Sequence, residues 1–421
     1  MLRNILFACL MVLPAAPLRA LDGQAERFVH LALELGLHDT DYVDAYLGPP
    51  EWRDAARAAN RAPAAVAADI ARLLAELGAY EPTQAERARH GALLKNVRAM
   101  DARARMALGE SFDFATEARL IYDVDVPEYD FAAFDRALAD VAALFPGEGD
   151  LAERVSAFRE SLALDDARRE AVVDRAIAEC RERTLRHISL PADEGFVLEY
   201  VTGQSWGGYN WYQGDNTSLM QINLDLPLRA SRVTSLGCHE GYPGHHVWNV
   251  LVENRLLKEN GWVEFSVFPL FSPFALIGEG SANYGVTLAF PGDEKQAFER
   301  DVLFPMAGID PARAETLARL ERLTEALAHA EVATARLYLD GRIGREEAIE
   351  QRRKYGLGTR EQAEKNVRFI EQYRSYVLNY SLGKDLVQGY VEAQARNGVN
   401  RWQAFEDMLT GLVTASQMAG H

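Results

Sequence analysis

The sequence predicts a mainly helical protein with one small antiparallel β-sheet. Long stretches rich in Ala, Arg, Leu and Glu space their apolar residues three and four positions apart, which makes one face of a helix apolar. Between about residues 188 and 230 the texture changes to short β-branched and aromatic runs parted by glycine-rich turns. Helical spacing returns near Ser231 and continues almost to the end.

The first element lies outside the fold. Arg3 gives a short basic start, Ile5 to Ala16 form an apolar run that Pro14 interrupts, and Leu18-Arg19-Ala20 fits a cleavage site. The run is too short to span a bilayer, and no later stretch reaches the roughly 20 apolar residues that spanning needs. Residues 1–20 therefore read as a signal peptide, and the mature protein as secreted or periplasmic, with no membrane insertion. Leu6-Phe7-Ala8-Cys9 imitates a lipobox, but almost no hydrophobic region precedes Cys9.

Residues 21–187 form an N-terminal helical region, with pieces at Ala64 to Leu77, Gln84 to Leu108 and Asp150 to His187. Leu47-Gly48-Pro49-Pro50 and Phe145 to Asp150 are its turns. Residues 188–421 begin with three expected strands, at Phe196 to Val201, Gly207 to Tyr212 and Ser218 to Leu224. Gly214-Asp215-Asn216 turns the last two into a hairpin. Glu315 to Leu339 and Ala348 to Arg353 are later helices, and Gly356-Leu357-Gly358 breaks the pattern before another. The two regions are free to share one core.

Composition narrows the function. The chain has 421 residues, 48% of them hydrophobic, enough for a large core. Its 62 acidic residues against 45 basic ones give a net charge of -17, which argues against nucleic acid and against anionic lipid as partners. After cleavage only Cys180 and Cys238 remain. An oxidising compartment permits a bond between them, but their positions in sequence do not establish proximity.

The chemistry concentrates in His239-Glu240-Gly241-Tyr242-Pro243-Gly244-His245-His246. In the common zinc-protease helix, two histidines at i and i+4 bind the metal and the glutamate after the first activates water. Four residues advance about 400°, so both rings leave one face roughly 6 Å apart. Here His245 stands at i+6, about 600° round and on the wrong side of an ideal helix, whereas His246 at i+7 returns to the right face about 10 Å along the axis. Pro243-Gly244 is expected to distort the helix. A two-residue excursion there brings His245 beside His239, and an unbroken helix favours His246. A zinc hydrolase site has three protein ligands and an open position, and Glu279, in the apolar small-residue stretch Phe274 to Tyr284, supplies the third.

These residues carry a resemblance. His239-Glu240-x-x-Pro243-Gly244-His245 followed by Glu279-Gly280-x-Ala282-x-Tyr284 resembles the signature of the bacterial domain-of-unknown-function family 885. Tyr46 to Trp52 and Asn379 to Lys384 look like further landmarks of it, so the resemblance extends over most of the mature chain. It implies a helical metallopeptidase-like fold, Zn2+ held by His239, His245 and Glu279, and Glu240 as general base. Peptides or other small amides are the implied substrates. Tyr380, in the second landmark, is the candidate donor to the oxyanion. Two features depart from the family pattern: Ser281 stands where tryptophan is common, and Leu339-Asp340-Gly341-Arg342 lacks a histidine.

Other readings remain at this stage. His329 is a candidate outer-shell donor or an ordinary helix histidine. Trp206, Tyr209, Trp211 and Tyr212 either line a substrate groove beside an edge strand or pack the sheet. Gly203-Gln204-Ser205-Trp206-Gly207 fits a serine-nucleophile pattern, which requires a helix after Ser205 where the sequence reads as strand. A non-catalytic exported binding protein with a vestigial metal site is the remaining alternative.

Overall fold

In the computed structural model, residues 20–204, 206–225 and 227–420 are described. The signal-peptide reading of residues 1–20 falls almost wholly outside them, as does Ser205.

Helices dominate, and their starts and buried faces follow from the sequence. Asp113, Asp130, Asp150 and Asp165 each accept a hydrogen bond from a first-turn backbone N–H, satisfying a donor that the helix itself leaves free. On helix Pro63–Ala79, Val66, Ile70, Leu73 and Leu77 form the buried stripe that their spacing predicts. The main core runs from Leu21 to Met418 and draws on both sides of residue 188, so no core boundary falls there. None of the described helices is long and apolar enough to cross a membrane.

Three expectations are corrected. Asp150 to His187 is two helices, Leu151–Glu160 and Asp166–Leu185. The break occurs because Asp165 caps the second helix and residues 162–164 leave the axis to bond with Leu228 and Ala230. Glu315 to Leu339 is likewise divided, into Arg313–Thr324 and His329–Leu339, with a tight 3-10 turn at Ala326–Ala328. The third correction concerns the sheet. Strands β2 (Gly195–Val201), β3 (Gly208–Gly214) and β4 (Thr217–Asn223) form a sheet of order β2-β4-β3. The β3–β4 hairpin is antiparallel, as expected, and its Asp215 and Asn216 both have positive φ, as a tight two-residue turn requires. β2 lies on the far side of β4 and pairs with it in parallel, so the sheet is mixed and β3 is an edge. A second sheet, antiparallel, joins β1 (Val43–Tyr46) to β5 (Val267–Pro269). Runs of four and three residues are too short to show a period of two.

Candidate metal centre

Helix Ala230–Leu236 runs into a wide π turn, Gly237–Gly241, which carries His239 and Glu240. The backbone then turns extended at Tyr242, passes through a cis peptide to Pro243, and starts a new helix at His245. Gly244 makes the reversal possible: a side chain there would come within 1.8 Å of the His239 carbonyl oxygen. The helix therefore does not run on through Pro243, and the excursion carries His245 back to His239. Their Nε2 atoms lie 3.1 Å apart. His246 points elsewhere. It is fully buried, with Nδ1 against the Ser218 hydroxyl at 2.8 Å and Nε2 against Glu194 at 3.0 Å, so both ring nitrogens are occupied.

Glu279 comes from helix Pro273–Ala289. Gly280 next to it touches Gly383 backbone to backbone, where a side chain would meet the Gly383 carbonyl oxygen at 2.4 Å. This crossing presses the helix against Leu378–Arg396 and fixes the depth of Glu279. The Glu279 carboxylate reaches His239 Nε2 at 3.4 Å and His245 Nε2 at 3.7 Å. The three ligand atoms lie within 4.8 Å of one another. Donors bonded at about 2.0–2.1 Å to a tetrahedral zinc stand about 3.3 Å apart, so the set fits such an ion. Glu279 Oε2, the oxygen 3.4 Å from His239 Nε2, is buried without a hydrogen bond, which leaves it free to hold an ion.

Neighbouring groups set the orientation. Asn283 lies one helical turn beyond Glu279. Its amide nitrogen donates to the Tyr380 carbonyl at 3.1 Å, which turns its oxygen toward His239 to accept from Nδ1 at 3.1 Å. His239 Nε2 is thereby left bare, as a ligand must be. The Tyr376 hydroxyl donates to Glu279 Oε1 at 2.9 Å. Sequence reasoning missed both residues, although each stands four positions from one that it did single out, Glu279 and Tyr380.

Glu240 is buried 4.0 Å from His239 Nε2 and is not in the ligand cluster. Asn210 of β3 donates to the Glu240 carbonyl at 2.8 Å, tying the turn to the edge strand. Burial pushes the Glu240 carboxyl up to about 7, with Glu279 adding to the rise and His239 and Arg232 opposing it. Burial also raises Glu279, yet His245, His239 and Tyr376 overcome it and hold that carboxyl down at about 2. Burial lowers both imidazoles. It prevails at His245, whereas Glu279 and Glu240 override it at His239.

The site opens into a cavity of about 1180 Å³ walled by Trp206, Tyr209, Trp211 and Tyr380 among others. Tyr380, the candidate oxyanion donor, lies on the wall, and among the described residues its hydroxyl has no hydrogen-bond partner. Trp206, Tyr209 and Trp211 are neighbours, with successive ring centroids 5.5 and 4.6 Å apart. Tyr212 turns to the other face of β3 and donates to Glu253. His329 is not at the site: it pairs with Asp385 at 3.2 Å and stacks on Tyr129. Asp340 is also absent from the cavity wall and accepts from the Phe114 backbone. Strand β3 begins at Gly208, three residues after Ser205, where the helix of a nucleophile elbow would have to run. Cys180 and Cys238 form a disulfide with Cα atoms 5.3 Å apart, which joins the ligand-bearing turn to helix Asp166–Leu185.

No family model and no curated protein matches the chain, so the resemblance drawn above rests on its motifs alone. Two solved structures are similar in fold. One is a candidate lipoprotein from Colwellia psychrerythraea, with TM-score 0.52 and 16% identity over 83% of this chain and 65% of that one. The other is a candidate lipoprotein of unknown function from Shewanella oneidensis, with TM-score 0.50 and 12% identity over 87% of this chain and 74% of that one. This chain thus spans less than two thirds of the Colwellia protein, and what it shares with the two is the fold.

Proposed function

We propose that the chain is an exported zinc-dependent hydrolase that cleaves amide bonds, most simply a peptidase. The observation that carries this reading is the convergence of His239, His245 and Glu279 on one point, with a fourth, non-ligand carboxylate, Glu240, beside it. Zinc bound there would polarise a carbonyl and acidify water. Glu240 takes the proton of the attacking water and delivers it to the leaving nitrogen as the C–N bond breaks, so water is divided between the acid and amine products. Tyr376 and Asn283 hold Glu279 and His239 in place. The Tyr380 hydroxyl is the donor for the developing oxyanion. The unpaired edge of β3 offers backbone groups to an extended peptide, with Trp206, Tyr209 and Trp211 alongside. Export is supported by the apolar N-terminal run and by the description of both structural neighbours as candidate lipoproteins.

The test is metal analysis of purified protein, followed by digestion of a peptide library with and without chelator. About one zinc per chain and chelator-sensitive cleavage are expected. Absence of stoichiometric metal, or cleavage that survives its removal, would overturn the reading.

A further inference from the structure

Three arginines without carboxylate partners share the wall of this cavity. Arg159 ends helix Leu151–Glu160, Arg229 precedes helix Ala230–Leu236, and Arg232 lies in the first turn of that helix. The break noted above brings them together: Ala163 bridges Arg229, and Leu164 and Leu162 bond the backbone of Leu228 and Ala230. The Arg232 guanidinium sits near Gly207, just before β3, where a side chain would lie 3.9 Å from Nη2.

Among the described residues, none of the three makes an ion pair, although the chain carries 62 acidic residues. Arg159 donates to the Leu357 carbonyl at 2.9 Å, and Arg229 Nε is buried with no partner at all. Of the acids nearby, Glu321 pairs with Lys295 at 2.9 Å and Glu331 with Arg352 at 3.4 Å, and Glu240, whose charge Arg232 feels, makes no ion pair with it. Lys365, on the same wall, donates to the Gln204 carbonyl at 3.3 Å rather than to a carboxylate. Burial, and then repulsion from Arg229, pull Arg159 and Arg232 below the ordinary arginine value. Glu321 opposes the fall at Arg159 and Glu240 at Arg232. Guanidinium stays charged at neutral pH, so the cluster still favours a further anion.

The cluster has a fixed place relative to the chemistry. Arg232 precedes His239 by seven residues on one continuous helical path, about 10 Å along the axis. Allowing for the reach of the arginine side chains, that leaves room for one or two peptide residues at about 3.4 Å each. We propose that Arg159, Arg229 and Arg232 form a subsite for the free C-terminal carboxylate of a short peptide, which makes the enzyme a carboxypeptidase that releases one or two residues. The proposal rests on the hydrolase reading for its cleavage step, but not for binding.

Binding and cleavage are therefore tested apart. The zinc-loaded Glu240→Gln protein is titrated calorimetrically with N-acetyl-Ala-Phe-Ala, with its C-terminal amide, and with N-acetyl-Ala-Glu-Ala amide. The free acid is expected to bind roughly 10- to 100-fold tighter than either amide, the worth of charge-assisted hydrogen bonds. Arg229→Gln and Arg232→Gln should erase most of that difference, and Arg232→Lys should restore part of it, with thermal melts checking that each variant folds. Equal binding of acid and amide by the parent protein overturns the proposal, as does a preference that survives both glutamine variants. Tight binding of the internal glutamate would assign the arginines to a side chain instead, and also overturns it. Acid-selective binding without hydrolysis by the wild type would sink the hydrolase reading and leave the subsite standing.

Discussion

Glu240 and His239 are neighbours in sequence with separate proposed tasks, base and ligand, and substitution separates them. Glu240→Gln keeps size and hydrogen bonding but cannot take a proton. It should bind zinc normally and lose hydrolysis by roughly two to four orders of magnitude, the usual worth of a general base. Unchanged turnover would end the mechanism as stated. His245→Ala and His246→Ala form a second pair. The first should lose metal and keep the fold. The second should keep metal and lose stability, by about 1–3 kcal/mol, because it strips buried partners from Ser218 and Glu194. Metal content and thermal melts read the two outcomes directly. The histidine-rich run, Glu240 and Glu279 were all legible in the sequence, because few alternative roles explain them together. The choice between His245 and His246 was not. Ideal helix geometry favours His246, and only the reversal at Gly244 brings His245 beside His239.

At the scale of elements, the ligand distance across the site depends on one helix crossing. Gly280→Ala would force a methyl group against the Gly383 carbonyl and push helix Pro273–Ala289 outward. The expected result is a loss of about 1–3 kcal/mol of stability together with weaker zinc binding, since Glu279 moves with its neighbour. Calorimetric zinc titration and a thermal melt measure both, and a variant matching the wild type in each would show that the crossing is not what sets the site. Helices with clear apolar stripes, such as Pro63–Ala79, could be read from the sequence almost to the residue. The break at residues 162–165 could not, because its cause is a contact with residues 228–230, which are distant in sequence. The parallel pairing of β2 was hidden for the same reason: strand patterning does not say on which side of a hairpin a third strand lies.

For the whole molecule, acid tolerance and oxidation state follow from two long-range ties. Glu194 is buried, which by itself would raise its carboxyl, but hydrogen bonds from His246, Tyr242 and Arg181 lower it from 4.5 to about 2. A carboxyl lowered in the folded state stabilises the fold above its ordinary value, and that stabilisation fades as pH falls from about 4.5 toward 2. Glu194→Gln should therefore be less stable than wild type at pH 7, with the gap narrowing across that window. A gap independent of pH would refute the assignment. The second tie is the disulfide between Cys180 and Cys238, 58 residues apart, a loop whose closure is worth about 4 kcal/mol by chain entropy. The paired Cys→Ser variant should lose stability of that order and also bind zinc more weakly. Cys238 immediately precedes His239, so the turn that presents the first proposed ligand is anchored by a bond that reducing surroundings do not maintain. If the chain is the exported zinc hydrolase proposed, tight metal uptake would follow closure of the thiol pair, and reducing surroundings before export would hold the enzyme idle.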